Sequence, residues 1–123
     1  GLKQQENGAH VLDVNVGLPE IDEPAMLKKV CFELQAIIDL PLQIDTTDVV
    51  AMEQALREYN GKAMINSVNG KEEVMREIFP LVKKYGGLVV CLTLDEDGIP
   101  DNAERRVEIA KNIIKTQQSY KNP

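Results

Sequence analysis

Leu40-Pro41-Leu42-Gln43-Ile44-Asp45-Thr46-Thr47-Asp48 and Lys62-Ala63-Met64-Ile65-Asn66-Ser67-Val68-Asn69-Gly70 are the stretches that decide the fold. Each starts as a short apolar run and ends on side chains with hydrogen-bonding heads. Between them, Val49, Val50, Met52, Ala55, Leu56 and Tyr59 recur at helical spacing, and Asn60-Gly61 stops that helix. A strand, a helix and a second strand in so short a span make a βαβ unit, whose strands lie parallel.

The same alternation extends in both directions. Upstream, Val11, Leu12, Val14 and Val16 form an apolar stretch from His10 to Val16, interrupted by Asp13 and Asn15. Met26, Leu27, Val30, Cys31, Leu34, Ile37 and Ile38 follow at helical spacing, with Pro24 near the helix start, where a missing N–H costs nothing. Downstream, Val74, Ile78, Leu81, Val82 and Tyr85 share one helix face; Asn69 with Glu72 is the expected capping pair and Gly86-Gly87 the stop. Leu88 to Leu94 is apolar almost throughout, as expected of a strand buried on both faces. Asp101 and Glu104 are the expected caps of a last helix with Ala103, Val107, Ala110, Ile113 and Ile114 on its apolar face. The polar end, Thr116 to Pro123, is expected to fray, and a short helix tail, Leu2 to Asn7, precedes the first strand and stops at Gly8. Four successive β/α units predict an α/β fold with a parallel sheet and right-handed crossovers.

Composition narrows the function. The 123 residues suit one compact domain, with no internal linker and no second domain expected. Twenty acidic against 14 basic residues give a formal charge of −6, which argues against binding nucleic acid or an anionic membrane. No apolar run approaches the ~20 residues that span a bilayer, and Gly1-Leu2-Lys3-Gln4-Gln5-Glu6 reads as neither a signal peptide nor a lipidation site. Cys31 and Cys91 form no paired motif, so reduced thiols in a cytoplasmic setting are expected, each packed in the core. No His, Cys, Asp and Glu residues stand at metal-ligand spacing.

One feature exceeds the generic α/β pattern. Every strand ends on polar side chains: Asp13 and Asn15, then Asp45, then Asn66, then Thr93 and Asp95. In parallel α/β folds the strand ends open onto one mouth, where ligands bind. The steps from Asp13 to Asp45, Asn66 and Asp95 are 32, 21 and 29 residues. That is about the length of one unit of a (β/α)₈ barrel, in which ~250 residues make eight units, so this chain supplies about half a barrel. Asp, Asn, Ser and Thr are also the usual helix caps, which accounts for any one of these residues alone. Asp45, however, is followed by Thr46, Thr47 and Asp48, which are better placed to cap. Asp13 and Asn15, buried in an apolar strand, would each cost about 1–3 kcal/mol without a partner, and a donor-rich polar ligand would supply one.

Asp13-Val14-Asn15-Val16-Gly17, Ile44-Asp45-Thr46-Thr47, Ala63 to Gly70, and Leu92-Thr93-Leu94-Asp95-Glu96-Asp97-Gly98-Ile99-Pro100 resemble the pterin-binding methyltransferases. That family includes the methyltetrahydrofolate domain of cobalamin-dependent methionine synthase and the methyltransferases that serve corrinoid proteins. The resemblance covers nearly the whole chain in the family's order, and it implies a TIM-type (β/α)₈ barrel. Residues 1–123 would be a partial pterin-binding domain, family strands two to five with their helices. Dihydropteroate synthase shares the fold and a similar Ile-Asp-Thr strand, but this chain has Gly17-Leu18-Pro19-Glu20 where the synthases carry a Gly- and Ser-rich segment with an Arg.

By that resemblance, Asp45 would accept hydrogen bonds from the amino-pyrimidine edge of a pterin. Asn66 would offer it both a donor and an acceptor. Asp13 and Asn15 would line the same mouth, with Asp95 at its edge. The implied chemistry is methyl transfer from N5 of methyltetrahydrofolate, the substrate, to the cobalt of a cobalamin held by a corrinoid protein or partner domain. No catalytic acid is evident, since His10, the only histidine, lies at the start of its strand, away from the mouth. The family's first strand and last three have no counterpart here, so the resemblance implies that the chain by itself lacks full activity; Gly1 is not an initiator Met, which fits an excised or processed end. Open strand edges predict self-association, or else rearrangement into an open sandwich with helices on both faces. On the other reading, the chain is a non-catalytic assembly module.

Overall fold

Strands pair in the order in which the chain makes them. The computed structural model describes residues 1–121 as α1 (Leu2–Glu6), β1 (Leu12–Val14), α2 (Glu23–Gln35), β2 (Leu42–Asp45), α3 (Val49–Glu58), β3 (Met64–Asn69), α4 (Glu72–Tyr85), β4 (Leu88–Leu92) and α5 (Ala103–Lys121). The sheet runs β1-β2-β3-β4 and every neighbouring pair is parallel. A doubly wound sheet reverses its strand order part-way across; this one does not. With right-handed crossovers throughout, α2 to α5 fall on one side of the sheet, where each packs on the next. These are four consecutive units of a TIM-type barrel, and the open sandwich with helices on both faces does not form.

Burial follows from that one-sided layer. Leu12, Val14, Leu42, Ile44 and Ile65 point toward the helices and are buried, packed against Leu27, Met52, Ala55 and Phe79. The intervening residues, Asp13, Gln43, Asp45, Met64 and Asn66, lie on the other sheet face and are exposed or half-buried. Asp13 and Asn15 are therefore exposed, contrary to expectation, because no layer covers the face they occupy. For the same reason β4 is not buried on both faces: it is an edge strand, with Leu88 and Leu92 exposed. Among the described residues, no helix is long and apolar enough to cross a membrane.

Helix boundaries show where local signals suffice. Asp22 caps α2 through the Ala25 N–H, and Asp48 caps α3 through the N–H groups of Val50 and Ala51. For α4 the expected Asn69–Glu72 box does not form. Asn69 instead accepts from the Lys71 N–H, and the Glu72 N–H is taken by Glu96 from the loop after β4. At α5 the capping side chain is Asn102, bonded to the Arg105 N–H, in place of Asp101 or Glu104. Ile109 and Ile113 form the buried face of α5, with Val107 and Ile114 exposed. The helix continues through Thr116 to Lys121, where fraying was expected; the last two residues of that expectation lie outside the described residues. Pro80 sits inside α4, a position that costs about 3 kcal/mol in an isolated helix; burial of Met75, Ile78, Phe79 and Leu81 offsets it.

The loop after β4 closes over the start of α4 at Gly70. Its N–H bonds the Leu94 carbonyl at 2.7 Å, and a Cβ there would come within 2.8 Å of both that oxygen and Ile109 Cγ2. Gly70→Ala is therefore expected to destabilise the chain by about 1–3 kcal/mol. Urea unfolding followed by circular dichroism measures it, and an unchanged midpoint would contradict this close approach.

Candidate functional site

The register of the sheet assembles the polar strand ends. Asp45 pairs with Asn66 across β2 and β3, and Val14 pairs with Ile44, which brings Asn15 beside Asp45. The Asn15 Nδ2 donates to Asp45 Oδ2 at 3.2 Å. Asn15, Asp45 and Asn66 thus form one row across the carboxyl ends of three adjacent strands. Asp13 lies one level down the sheet, opposite Gln43, whose Nε2 donates to Asp13 Oδ1 at 2.5 Å.

The backbone beneath the row is held from behind. Thr46 is buried; its hydroxyl donates to Glu23 Oε1 at 2.5 Å and accepts from the Asp48 N–H at 3.0 Å. Its own N–H donates to the Asn66 carbonyl at 3.2 Å. The start of α2, the β2–α3 turn and β3 are tied together at the point where Asp45 and Asn66 meet. Asp48 takes the capping duty at α3, so the Asp45 carboxylate is free to face the mouth.

On β3 the pairing with β4 slips between Asn66 and Val68, with Ser67 as the extra residue. Such a bulge reverses the alternation of the strand. Val68 then takes the next core position, fully buried, and Asn66 keeps its place on the open face.

Asp95 stands apart from this row. It lies beyond β4 in a turn closed by an Asp95–Gly98 bridge. One carboxylate oxygen takes an Arg105 guanidinium at 2.5 Å and the other the Asp97 N–H at 3.1 Å. His10 is exposed before β1, at the amino end of the sheet. No group of three His, Cys, Asp or Glu is placed to hold a metal ion among the described residues.

A family model described as pterin binding enzyme matches residues 1–122. The chain belongs to the pterin-binding enzyme family. Methionine synthase of Mycobacterium tuberculosis (strain ATCC 25618 / H37Rv) is 34% identical over 116 residues, which are 90% of this chain and 10% of that protein. Methionine synthase of Mycobacterium leprae (strain TN) is 33% identical over the same shares. The chain thus spans about a tenth of the length of these curated relatives.

Membership in a pterin-binding family directs attention to the row and away from the cavities. A cavity of about 620 Å³ lined by Phe79, Val82, Leu88, Cys91 and Ile113 lies along the β4 edge, reaching toward the amino end of the strands. Sequence reasoning passed over Gln43 and Glu23, and it reads Glu104-Arg105-Arg106 as a solvated helix face, whereas Arg105 pairs with Asp95. Gln43 had a local signal, since it alternates with Ile44 on the strand that carries Asp45. Glu23 and Arg105 meet their partners 23 and 10 residues away, and no pattern in the chain marks those contacts.

The two thiols differ from each other. Cys31 is buried in α2, and burial pushes its thiol up to about 11. Cys91, expected in the core, is exposed on the edge strand, with its thiol raised by partial burial. Thiolate is the reacting species. In the folded protein at about pH 8, iodoacetamide is expected to label Cys91 alone, and Cys31 to react only after unfolding. Mass spectrometry of tryptic peptides reads both, and equal labelling of Cys31 in the folded state would contradict its burial.

Proposed function

We propose that the row of Asn15, Asp45 and Asn66 binds the pterin ring of methyltetrahydrofolate, in a protein that transfers the N5 methyl group to a corrinoid during methionine biosynthesis in the cytoplasm. The single observation that carries this reading is the juxtaposition of Asp45 and Asn66 at the strand ends of a pterin-binding family chain. A pterin presents a 2-amino group and a ring N–H along one edge and mixed donors and acceptors elsewhere. Asp45 is an acceptor-only carboxylate suited to the first, and Asn66 offers one donor and one acceptor group to the second. Asn66 is half-buried and makes no side-chain hydrogen bond among the described residues, so its amide is available. Asp13 would line the floor of the mouth and Asp95 its rim. The domain would correspond to family strands two to five.

Cobalamin, when bound by a partner domain or protein, supplies a reduced cobalt that accepts the methyl group. This chain's part is to hold and orient the folate. An amine leaves poorly, so N5 needs a proton or hydrogen bond as its methyl bond breaks. Neither the row nor the distant His10 supplies an acid for it, and we place that group, like the corrinoid, outside this chain.

Calorimetric titration with 5-methyltetrahydrofolate tests the site. Loss of one charge-assisted hydrogen bond is worth about 1.5–3 kcal/mol, or roughly 10- to 150-fold in affinity. Asp45→Asn and Asn66→Ala are each expected to weaken binding at least to the lower figure, with thermal unfolding little changed. Absence of heat from the unsubstituted chain would reject folate binding here and favour the assembly-module reading.

We also propose that copies of this chain associate through the unpaired edges of β1 and β4, next to which Leu88 and Leu92 lie exposed. Light scattering after size exclusion is expected to give a mass well above the 13.7 kDa of one chain. A monodisperse monomer that unfolds cooperatively would contradict it.

A further inference from the structure

The Asn15 amide can be oriented from its surroundings. Its Oδ1 accepts the Gly17 backbone N–H at 2.9 Å, and a backbone N–H can only donate. The other end of the amide must then be the NH₂ group, and that end faces Asp45 Oδ2 at 3.2 Å. The oxygen of Asn15 is spent on its own chain, and one of its two N–H bonds is spent on the carboxylate.

Asp45 is constrained from two directions. Its backbone is pinned by the next residue, Thr46, whose N–H and hydroxyl bond Asn66 and Glu23. What remains free is rotation of the carboxylate itself, and Asn15 holds one of its oxygens. The second oxygen, Oδ1, accepts no hydrogen bond among the described residues and is left for a ligand. Gly17 belongs to the same device, because a Cβ there would come within 3.2 Å of Asn15 Oδ1 and press on the amide.

We infer that Asn15 is a positioning residue, which orients the Asp45 carboxylate so that its free oxygen meets ligands presenting N–H donors. The inference rests on the pterin reading above and refines the part assigned to Asn15 by resemblance. A pterin amino edge satisfies the free oxygen of Asp45; a ring carrying a carbonyl there would set acceptor against acceptor.

The decisive variant is Asn15→Asp. It keeps an oxygen for the Gly17 N–H and sets a carboxylate against Asp45 where the amide donated. The other charged groups around the pair are Asp13 on β1, Glu23 at the start of α2 and Asp48 at the start of α3. Gln43 and Asn66 from the neighbouring strand positions are neutral. All three charges are negative and add to the repulsion. Protonation at position 15 restores a donor toward Asp45, since like charges this close favour sharing a proton.

The test combines binding with a ligand-free measurement. With 5-methyltetrahydrofolate as the probe at about pH 7.5, Asn15→Ala is expected to bind about tenfold more weakly than the unsubstituted chain and Asn15→Asp about a hundredfold. The ratio of Asn15→Asp to unsubstituted affinity, taken at the same pH, is expected to recover severalfold by about pH 5, while that of Asn15→Ala stays flat. Without ligand, the Asn15 side-chain amide resonance is expected to move when Asp45→Ala removes its acceptor. An unmoved resonance overturns the clamp whether or not folate binds. If the unsubstituted chain binds and Asn15→Ala binds equally well, or if Asn15→Asp shows no recovery at low pH, the positioning role falls and the pterin reading stands. If the unsubstituted chain does not bind, the pterin reading falls and takes this inference with it.

Discussion

The right-handed crossover is the constraint on which the rest of this structure depends. A parallel neighbour can be reached only by carrying the chain over one face of the sheet, and the twist of strand and helix fixes which face. Because β1 to β4 pair in sequence order, the same turn is repeated and every helix from α2 onward lands on the same side. One face of the sheet becomes the core and the other stays open. All four strands also point the same way, so their carboxyl ends share one mouth. The position of the polar row rests on this geometry.

The period-two alternation of a strand then decides what each residue does. In β1 and β2 the helix-facing positions are Leu12, Val14, Leu42 and Ile44, all buried, and the intervening ones are Asp13, Gln43 and Asp45. A single-residue slip would send the polar set into the core, where each unpaired group costs about 1–3 kcal/mol. The polar groups also bond across strands, Gln43 to Asp13 and Asn15 to Asp45, which favours the observed register. Hydrophobic burial on one face and hydrogen bonding on the other thus select the same pairing. The geometry of the candidate site is a by-product of that agreement.

What could be read along the chain was what local chemistry determines. The strands and helices follow from periodicity, and the α3 cap was narrowed to Thr46, Thr47 or Asp48, of which the structure uses Asp48. The α4 cap was not visible, because its acceptor is Glu96, 24 residues further on, brought back by the turn after β4. Asp13 and Asn15 were read as buried because they sit in an apolar run, yet an apolar run says nothing about whether a second layer covers the sheet. Cys91 was misread as a core residue for the same reason: its strand is apolar but lies at the edge. The helix through Pro80 was readable despite the proline, since the amphipathic stripe continues on both sides of it.

Asp45 and Asp95 show why residue type and strand-end position are not enough to mark a binding residue. Both are aspartates at the end of an apolar run, and the chain pattern separates them only by the better-placed caps that follow Asp45. Their neighbours in the fold separate them further. Asp45 is relieved of capping by Asp48 and, among the described residues, accepts a hydrogen bond at one oxygen, from a neutral amide, so its other oxygen keeps its accepting capacity. Asp95 gives one oxygen to Arg105 from α5 and the other to the turn that follows it, and its side chain is only 14% exposed. A carboxylate bonded at both oxygens by its own protein would have to break an ion pair to meet a ligand, and the Asp95 turn would lose its anchor in doing so. The capacity left over after folding, more than the residue's name, separates the two. By that criterion Asp45 and Asn66 keep hydrogen-bonding capacity at the strand ends, while that of Asp95 is committed to Arg105 and to its own turn.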